Sequence, residues 1–413
     1  MPEEAVTSTA QDRRQRFRAF AKRFNPTAPA KDLIGQGLIC REPRYSIWQK
    51  LIRGFDVPAS QQLVVGGIGS GKTTELLLAE QEVASTGQMV PLYIDVSAET
   101  DLTAVTSGSL LASLGLHAWK ELDATSKALP ELTQALGTIK RAAEGYDVQV
   151  PEADASSALD RLFSQEKRYK TVRVPGKLKP VRSLEADVEE LADSLRRLLT
   201  ALRRGDKEIV VIFDGLDRLI KPDQFWRVAE QDLRALKGQD VSVLIAGPLS
   251  VMYGPGRQVA DYFDQVHYVP PAIADPNVSP FLLEILQKRC VEDFVQDPRQ
   301  TRRLCLASGG VLRDLISVTR SAGQNAYLED FDYVNPSHID KAVAQLGNSY
   351  LLGLGTEQKH ILDELLRGGG ISPSNPESME LLITRRILER DGSIYEVHPA
   401  LAEVLQRHSE EAK

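Results

Sequence analysis

Cysteine is scarce: three occur in 413 residues, Cys40, Cys290 and Cys305, far apart and without metal-ligand spacing. That usage implies a reducing compartment and ordinary buried thiols. No apolar run approaches the roughly 18 residues of a membrane span, and the first residues lack the apolar core of a signal peptide. A cytoplasmic protein with no membrane partner is expected. An Asn-Lys-x-Asp run, which would read guanine, is missing as well, so ATP is favoured over GTP wherever a nucleotide is bound. An excess of positive charge is also lacking: the net charge of −7 excludes a chain wholly given over to coating nucleic acid, although a local basic patch remains open. The length exceeds one ordinary core and implies two or three domains.

What the chain does have is one stretch around which the rest is organised, residues 62–79. Within it Gly66-Gly67-Ile68-Gly69-Ser70-Gly71-Lys72-Thr73 reads G-x-x-x-x-G-K-T, after the β-branched run Leu63-Val64-Val65 and before the helical pattern that opens at Thr74. Strand, glycine loop and helix come in the order that a phosphate-binding loop requires. Glycines let backbone N–H groups turn inward into a nest for phosphate oxygens, and the helix start adds its positive dipole end. The expected nucleotide contacts are Gly66 to Thr73 together with Thr74. Lys72 is expected over the β- and γ-phosphates, and the Thr73 hydroxyl on Mg²⁺.

Met89 to Val96 reads as a second buried strand. A strand so soon after a helix implies a parallel βαβ unit and an α/β sheet covered on both faces. Residues 101–205 then carry helical patterns and no strong strand. Within them Lys167 to Arg182 holds seven Lys or Arg and no acid, and its proline and glycine predict a loop, either a solvated linker or a contact for DNA phosphates. A helix over residues 183–204 follows, with leucines at helical spacing. The second chemical motif is Glu208-Ile209-Val210-Val211-Ile212-Phe213-Asp214-Gly215-Leu216-Asp217. Its five apolar residues predict a central strand that delivers Asp214 to the carboxyl-end crevice, where ligands of open α/β sheets bind. Asp214 is expected to hold Mg²⁺ beside Thr73; the plainer alternative is a helix cap.

The pairing of Gly66-to-Thr73 with the Asp214-Gly215-Leu216-Asp217 strand end resembles the AAA+ and STAND group of P-loop ATPases, especially origin-recognition-like and transposition-regulator-like bacterial members, over residues 35–405. Many members place a glutamate directly after the Walker B aspartate as the base for the attacking water; this chain has Gly215 there. By the resemblance, Asp217 is the residue that polarises water. Val241 to Ala246 resembles the sensor-1 strand, with Ser250 in place of its usual Thr or Asn. Arg257 falls where relatives carry an arginine finger acting on a neighbour's nucleotide, with an exposed loop arginine as the other reading. Ser308-Gly309-Gly310-Val311-Leu312-Arg313 is similar to a sensor-2 motif, which implies that Arg313 is a γ-phosphate sensor, with a surface salt bridge as the other reading.

At the amino end, Arg13 to Arg23 forms a basic helix with Phe17, Phe20 and Phe24 on one face, suited either to docking or to DNA. At the carboxyl end two helical patterns precede a hairpin signalled by Asp391-Gly392, and this order resembles a winged helix. The expected organisation is a basic extension at 1–34, a P-loop core at 35–274 with an insertion at about 101–205, a helical lid at 275–350 and a winged-helix-like unit at 351–413. The fold class is α/β. The function expected is a Mg²⁺-dependent ATPase working as an assembly or regulatory switch through self-association or a partner protein, in DNA transactions or phage defence. The alternative is a nucleotide-gated DNA-binding or protein-binding module with little or no hydrolysis.

Overall fold

The computed structural model describes residues 10–40, 46–151, 169–175, 188–203, 207–219, 222–253, 259–275, 277, 279–390 and 394–411. The strands are β1 (Gln61–Gly66), β2 (Met89–Asp95), β3 (Gly145–Pro151), β4 (Tyr169–Pro175), β5 (Glu208–Asp214), β6 (Val241–Ala246), β7 (Gln265–Val269), β8 (Ile387–Arg390) and β9 (Ile394–Val397). Five of them make one parallel sheet in the order β2-β5-β6-β1-β7. The glycine-loop strand and the Asp214 strand are therefore separated by β6, and both end on the same rim. Register pairs Asp95 with Asp214 on that rim, and Gly66 with Val269.

Strand alternation explains why the sheet is covered twice. Leu63, Val65, Val211, Phe213, Val243 and Ile245 point into a core built with the helices Ser109–Glu121, Pro130–Glu144, Val188–Leu202 and Pro222–Lys237. Their neighbours Val64, Val210, Ile212, Leu244 and Ala246 point the other way, onto Leu76, Ala79 and Val83 of the helix Lys72–Thr86 and onto Leu51 and Phe55. Successive side chains of a strand face opposite sides, so uninterrupted apolar runs mark strands buried on both faces.

The insertion differs from expectation. Tyr169–Pro175 is not loop but strand, paired antiparallel with β3 from Gly145↔Pro175 to Pro151↔Tyr169. Its Val172 and Val174 alternate with Thr171 and Arg173, as Val148 and Val150 alternate with Asp147 and Gln149 in β3. That period of two favours a hairpin, and the proline and glycine that close the strand obscured it. Lys167, Arg168 and residues 176–182 of the basic stretch lie outside the described residues.

Beyond the sheet, the helices Phe281–Lys288, Pro298–Ala307, Leu312–Leu328 and Pro336–Leu351 form a second core, into which Phe20 and Phe24 of the amino-terminal helix Ala10–Arg23 are fully buried. Phe17 stacks on Tyr327 at 4.4 Å. Three of the six cations of that helix are spent on this helical region: Arg13 pairs with Asp330, Arg23 with Asp293 at 2.6 Å and Arg16 with Asp332 at 3.8 Å.

The last unit packs helices Thr356–Leu366, Pro376–Ile383 and Pro399–Glu411 against the β8/β9 hairpin, in winged-helix order. Its own core of Ile361, Leu362, Leu381, Leu382 and Leu401 also takes in Leu249, from the segment after β6. Two polar clasps add to this seam. Tyr253 donates to Glu389 at 2.5 Å, and Arg390 donates to the Ala272 carbonyl at 3.2 Å.

Candidate phosphate-binding site

The loop 66–73 leaves β1 and re-enters regular structure at Lys72, the first residue of the helix Lys72–Thr86. Lys72 is 4% exposed, and its Nζ donates to the carbonyls of Gly66 at 2.9 Å and Gly67 at 3.0 Å. The same Nζ lies 2.8 Å from Asp217 Oδ2. A buried ammonium needs such partners, because desolvation without them costs more than a fold can offset. Gly69, at φ +81°, must be glycine on two counts: the left-handed conformation disfavours other residues, and an added Cβ would stand 2.8 Å from Arg313 Cβ.

Asp214 is the second carboxylate of this neighbourhood, beside Asp217. Asp214 ends β5, is 3% exposed, and its Oδ1 accepts from the Gly215 N–H at 2.7 Å. Tyr93 of β2 donates to Oδ2 at 2.7 Å, and the Thr73 side chain also hydrogen-bonds to Asp214. Burial pushes the Asp214 carboxyl above its ordinary range, opposed by the hydrogen bonds from Tyr93 and Thr73. A glycine-loop lysine, a following threonine and a strand-end aspartate touching that threonine are the residue types that a phosphate and metal cradle uses.

The chain has a P-loop NTPase fold.

The oxygen donors Thr73 and Asp214 fit Mg²⁺, a hard cation that takes one or two protein ligands and completes its shell with water and phosphate. No group of three or more His, Cys, Asp or Glu able to hold a metal occurs among the described residues, which leaves this cradle as the candidate. Gly215 has a physical reason. At φ +88°, a Cβ there would lie 2.7 Å from Ser97 Cβ and 2.9 Å from Asp95 Oδ1, so a glutamate does not fit there. Asp95 is itself engaged, accepting from Ser97 Oγ at 2.6 Å and from the Ala98 N–H at 3.2 Å.

Arginines approach from three elements. Arg218 belongs to the short helix after β5, Arg313 lies in the first turn of the helix Leu312–Leu328, and Arg385 lies in the turn between the helix Pro376–Ile383 and β8. Burial lowers the Arg313 guanidinium from its ordinary value, and the charges of Arg385 and Arg218 lower it further. Ser250 is 2% exposed and its Oγ has no hydrogen-bond partner among the described residues. Arg257 lies outside the described residues. Ile68 and Ser70 line a small cavity under the carboxyl-terminal unit, together with Leu249, Tyr268, Arg385 and Leu388.

Two site residues were not read from the sequence. Tyr93 is the one hydroxyl-bearing residue of β2, and a phenol in a buried strand calls for a partner; that signal was present. Arg385 carried no comparable signal, because its approach to the loop depends on how the carboxyl-terminal unit docks.

No protein-family profile matches the sequence, and no curated protein matches it either. Solved structures do. The chain is similar to the Aeropyrum pernix ORC2 protein of the ADPNP–ADP complexes, at 14% identity over 90% of this chain and 96% of that one, TM-score 0.43. It is also similar to Drosophila ORC bound to DNA, at 14% identity over 98% and 94%, TM-score 0.44. A third is the Thermotoga maritima RuvB Holliday junction branch migration motor, at 13% identity over 87% and 93%, TM-score 0.37. At such identities the likeness extends to the fold alone. No helix among the described residues is long and apolar enough to cross a membrane.

Proposed function

We propose that this protein binds ATP with Mg²⁺ and hydrolyses it slowly, as a nucleotide-controlled assembly or regulatory switch. The observation that supports this best is the single cluster in which Lys72, Thr73, Asp214 and Asp217 meet. Glycine-loop N–H groups and Lys72 bind the phosphates. Thr73 and Asp214 hold Mg²⁺, which when bound neutralises phosphate charge. Asp217, its carboxylate held by Lys72, orients the attacking water in place of the glutamate that Gly215 excludes. Arg313 senses the terminal phosphate from the lid. In-line phosphoryl transfer needs positioning and charge neutralisation more than covalent chemistry, so this set is chemically sufficient. Titration with a fluorescent ATP analogue tests it: micromolar binding that Mg²⁺ strengthens and Lys72→Ala removes is expected, whereas equal signals for both proteins would dismiss the site.

A second reading, DNA binding gated by nucleotide, is supported by one feature. Arg14, Arg18 and Lys22 lie four residues apart on the exposed side of the amino-terminal helix, so their cations form one stripe. Replacing all three by Gln should abolish salt-dependent retention of duplex DNA; retention unchanged by the substitutions would remove this reading.

A further inference from the structure

We propose that Arg385, carried by the winged-helix-like unit, is a ligand for the terminal phosphate of the nucleotide, so that the triphosphate itself fastens that unit onto the P-loop. This rests on the reading of residues 66–73 as an ATP site. The position of Arg385 is the first ground. A Cβ placed on Gly69 would stand 3.4 Å from Arg385 Nη1, and one placed on Gly67 would stand 3.9 Å from Arg385 Cγ. The side chain therefore lies along the phosphate-binding loop.

Its local conformation is the second ground. Arg385 adopts φ +63°, a left-handed conformation that costs a non-glycine residue free energy and persists where surrounding structure enforces it. The next residue shows what enforces it. Arg386 is committed to the backbone at the end of the helix Pro336–Leu351, donating from Nε to the Tyr350 carbonyl at 2.8 Å and from Nη2 to the Leu352 carbonyl. With Arg386 fixed there, the turn directs Arg385 toward the loop.

Its bonding is the third. Arg385 Nη1 donates to Asp314 Oδ1 at 2.9 Å. Its Nε is buried with no hydrogen-bond partner among the described residues. A guanidinium offers five N–H donors and matches phosphate with a planar fork, so a part-buried guanidinium with unpaired donor capacity beside a glycine loop is suited to take a phosphate. Asp314 in turn accepts from Tyr350 at 2.5 Å and lies 3.3 Å from His398 Nε2. One carboxylate thus ties the residue next to Arg313 to the winged-helix-like unit, and the two arginines stand side by side over Gly69. Neighbouring cations that repel one another are relieved by a polyanion.

The test compares wild type, Arg385→Gln, Arg385→Lys and Lys72→Ala in equilibrium binding of fluorescent ATP and ADP analogues, with melting temperature recorded for each. Arg385→Gln is expected to weaken ATP binding about tenfold or more, the scale of one charge-assisted hydrogen bond, and to weaken ADP binding much less. Arg385→Lys keeps a point charge and should recover part of the preference for ATP even if the Asp314 clasp is loosened. An unchanged ratio of ATP to ADP affinity in both variants, whatever their melting temperatures, would make Arg385 a structural clasp and overturn the proposal. Wild type that binds neither nucleotide, like Lys72→Ala, would overturn the ATP site and this inference together.

Discussion

Lys72 Nζ lies 2.8 Å from Asp217 Oδ2, an ion pair whose side chains are only 3% and 15% exposed. It brings the glycine loop and the end of β5 into contact across the intervening strand β6. Because Lys72 also has the Gly66 and Gly67 carbonyls as acceptors, Asp217→Asn removes a charge without stranding the ammonium. That variant should fold and bind ATP within a fewfold of wild type by calorimetry. A complete loss of binding would mean that Asp217 shapes the loop and has no separate task.

Tyr93 donates to Asp214 at 2.7 Å and so holds one carboxylate oxygen in place for a cation. Tyr93→Phe deletes that hydrogen bond at little change in volume. A hydrogen bond to a charged group contributes on the order of 1.5–3 kcal/mol, so the Mg²⁺ concentration for half-maximal turnover should rise about tenfold while ATP affinity without metal stays put. An unshifted Mg²⁺ curve would reduce Tyr93 to packing.

Gly215 is fixed by conformation and by neighbours, with Ser97 Cβ only 2.7 Å from a would-be Cβ. Gly215→Ala should therefore lower stability by about 1–3 kcal/mol, read as an earlier thermal melt. Gly215→Glu, which would supply the base that many relatives use, should melt earlier still and turn over no faster. A stable, faster Gly215→Glu enzyme would refute the steric account.

Asp314 supplies the pH dependence. Its burial raises the carboxyl, but hydrogen bonding to His398 and the charge of Arg385 outweigh this and leave it below its ordinary value. The sign follows: a depressed folded value gives stability that is fully present above the unfolded value and lost as pH falls through the folded one. The melting-temperature gap between wild type and Asp314→Asn should therefore be widest near neutrality and close below about pH 4. A constant gap across that range would show that the charge of Asp314 contributes nothing.

Much of this was legible along the chain. The glycine loop, the Asp214 strand, the lid helices and the carboxyl-terminal hairpin all announce themselves through local period and turn chemistry, and those features are set by neighbours in sequence. The β3/β4 hairpin was legible too, in Val148, Val150, Val172 and Val174, but the proline and glycine at Pro175, Gly176 and Pro180 suggested a loop. Arg385 was not legible, since nothing near it in sequence reports that Asp314, 71 residues earlier, would accept its guanidinium. Nor was the use of Arg13, Arg16 and Arg23 as lid contacts, because the charge pattern of a helix is the same whether its partner is aspartate or phosphate.

The most direct measurement is phosphate release from ATP with and without Mg²⁺, by wild type, Lys72→Ala and Asp217→Asn. Slow, metal-dependent turnover is predicted for wild type, none for Lys72→Ala, and a rate reduced roughly a hundredfold or more for Asp217→Asn. Turnover in Lys72→Ala equal to that of wild type, or metal-independent release by all three, would contradict the central claim that residues 66–73 and the end of β5 form an ATPase site.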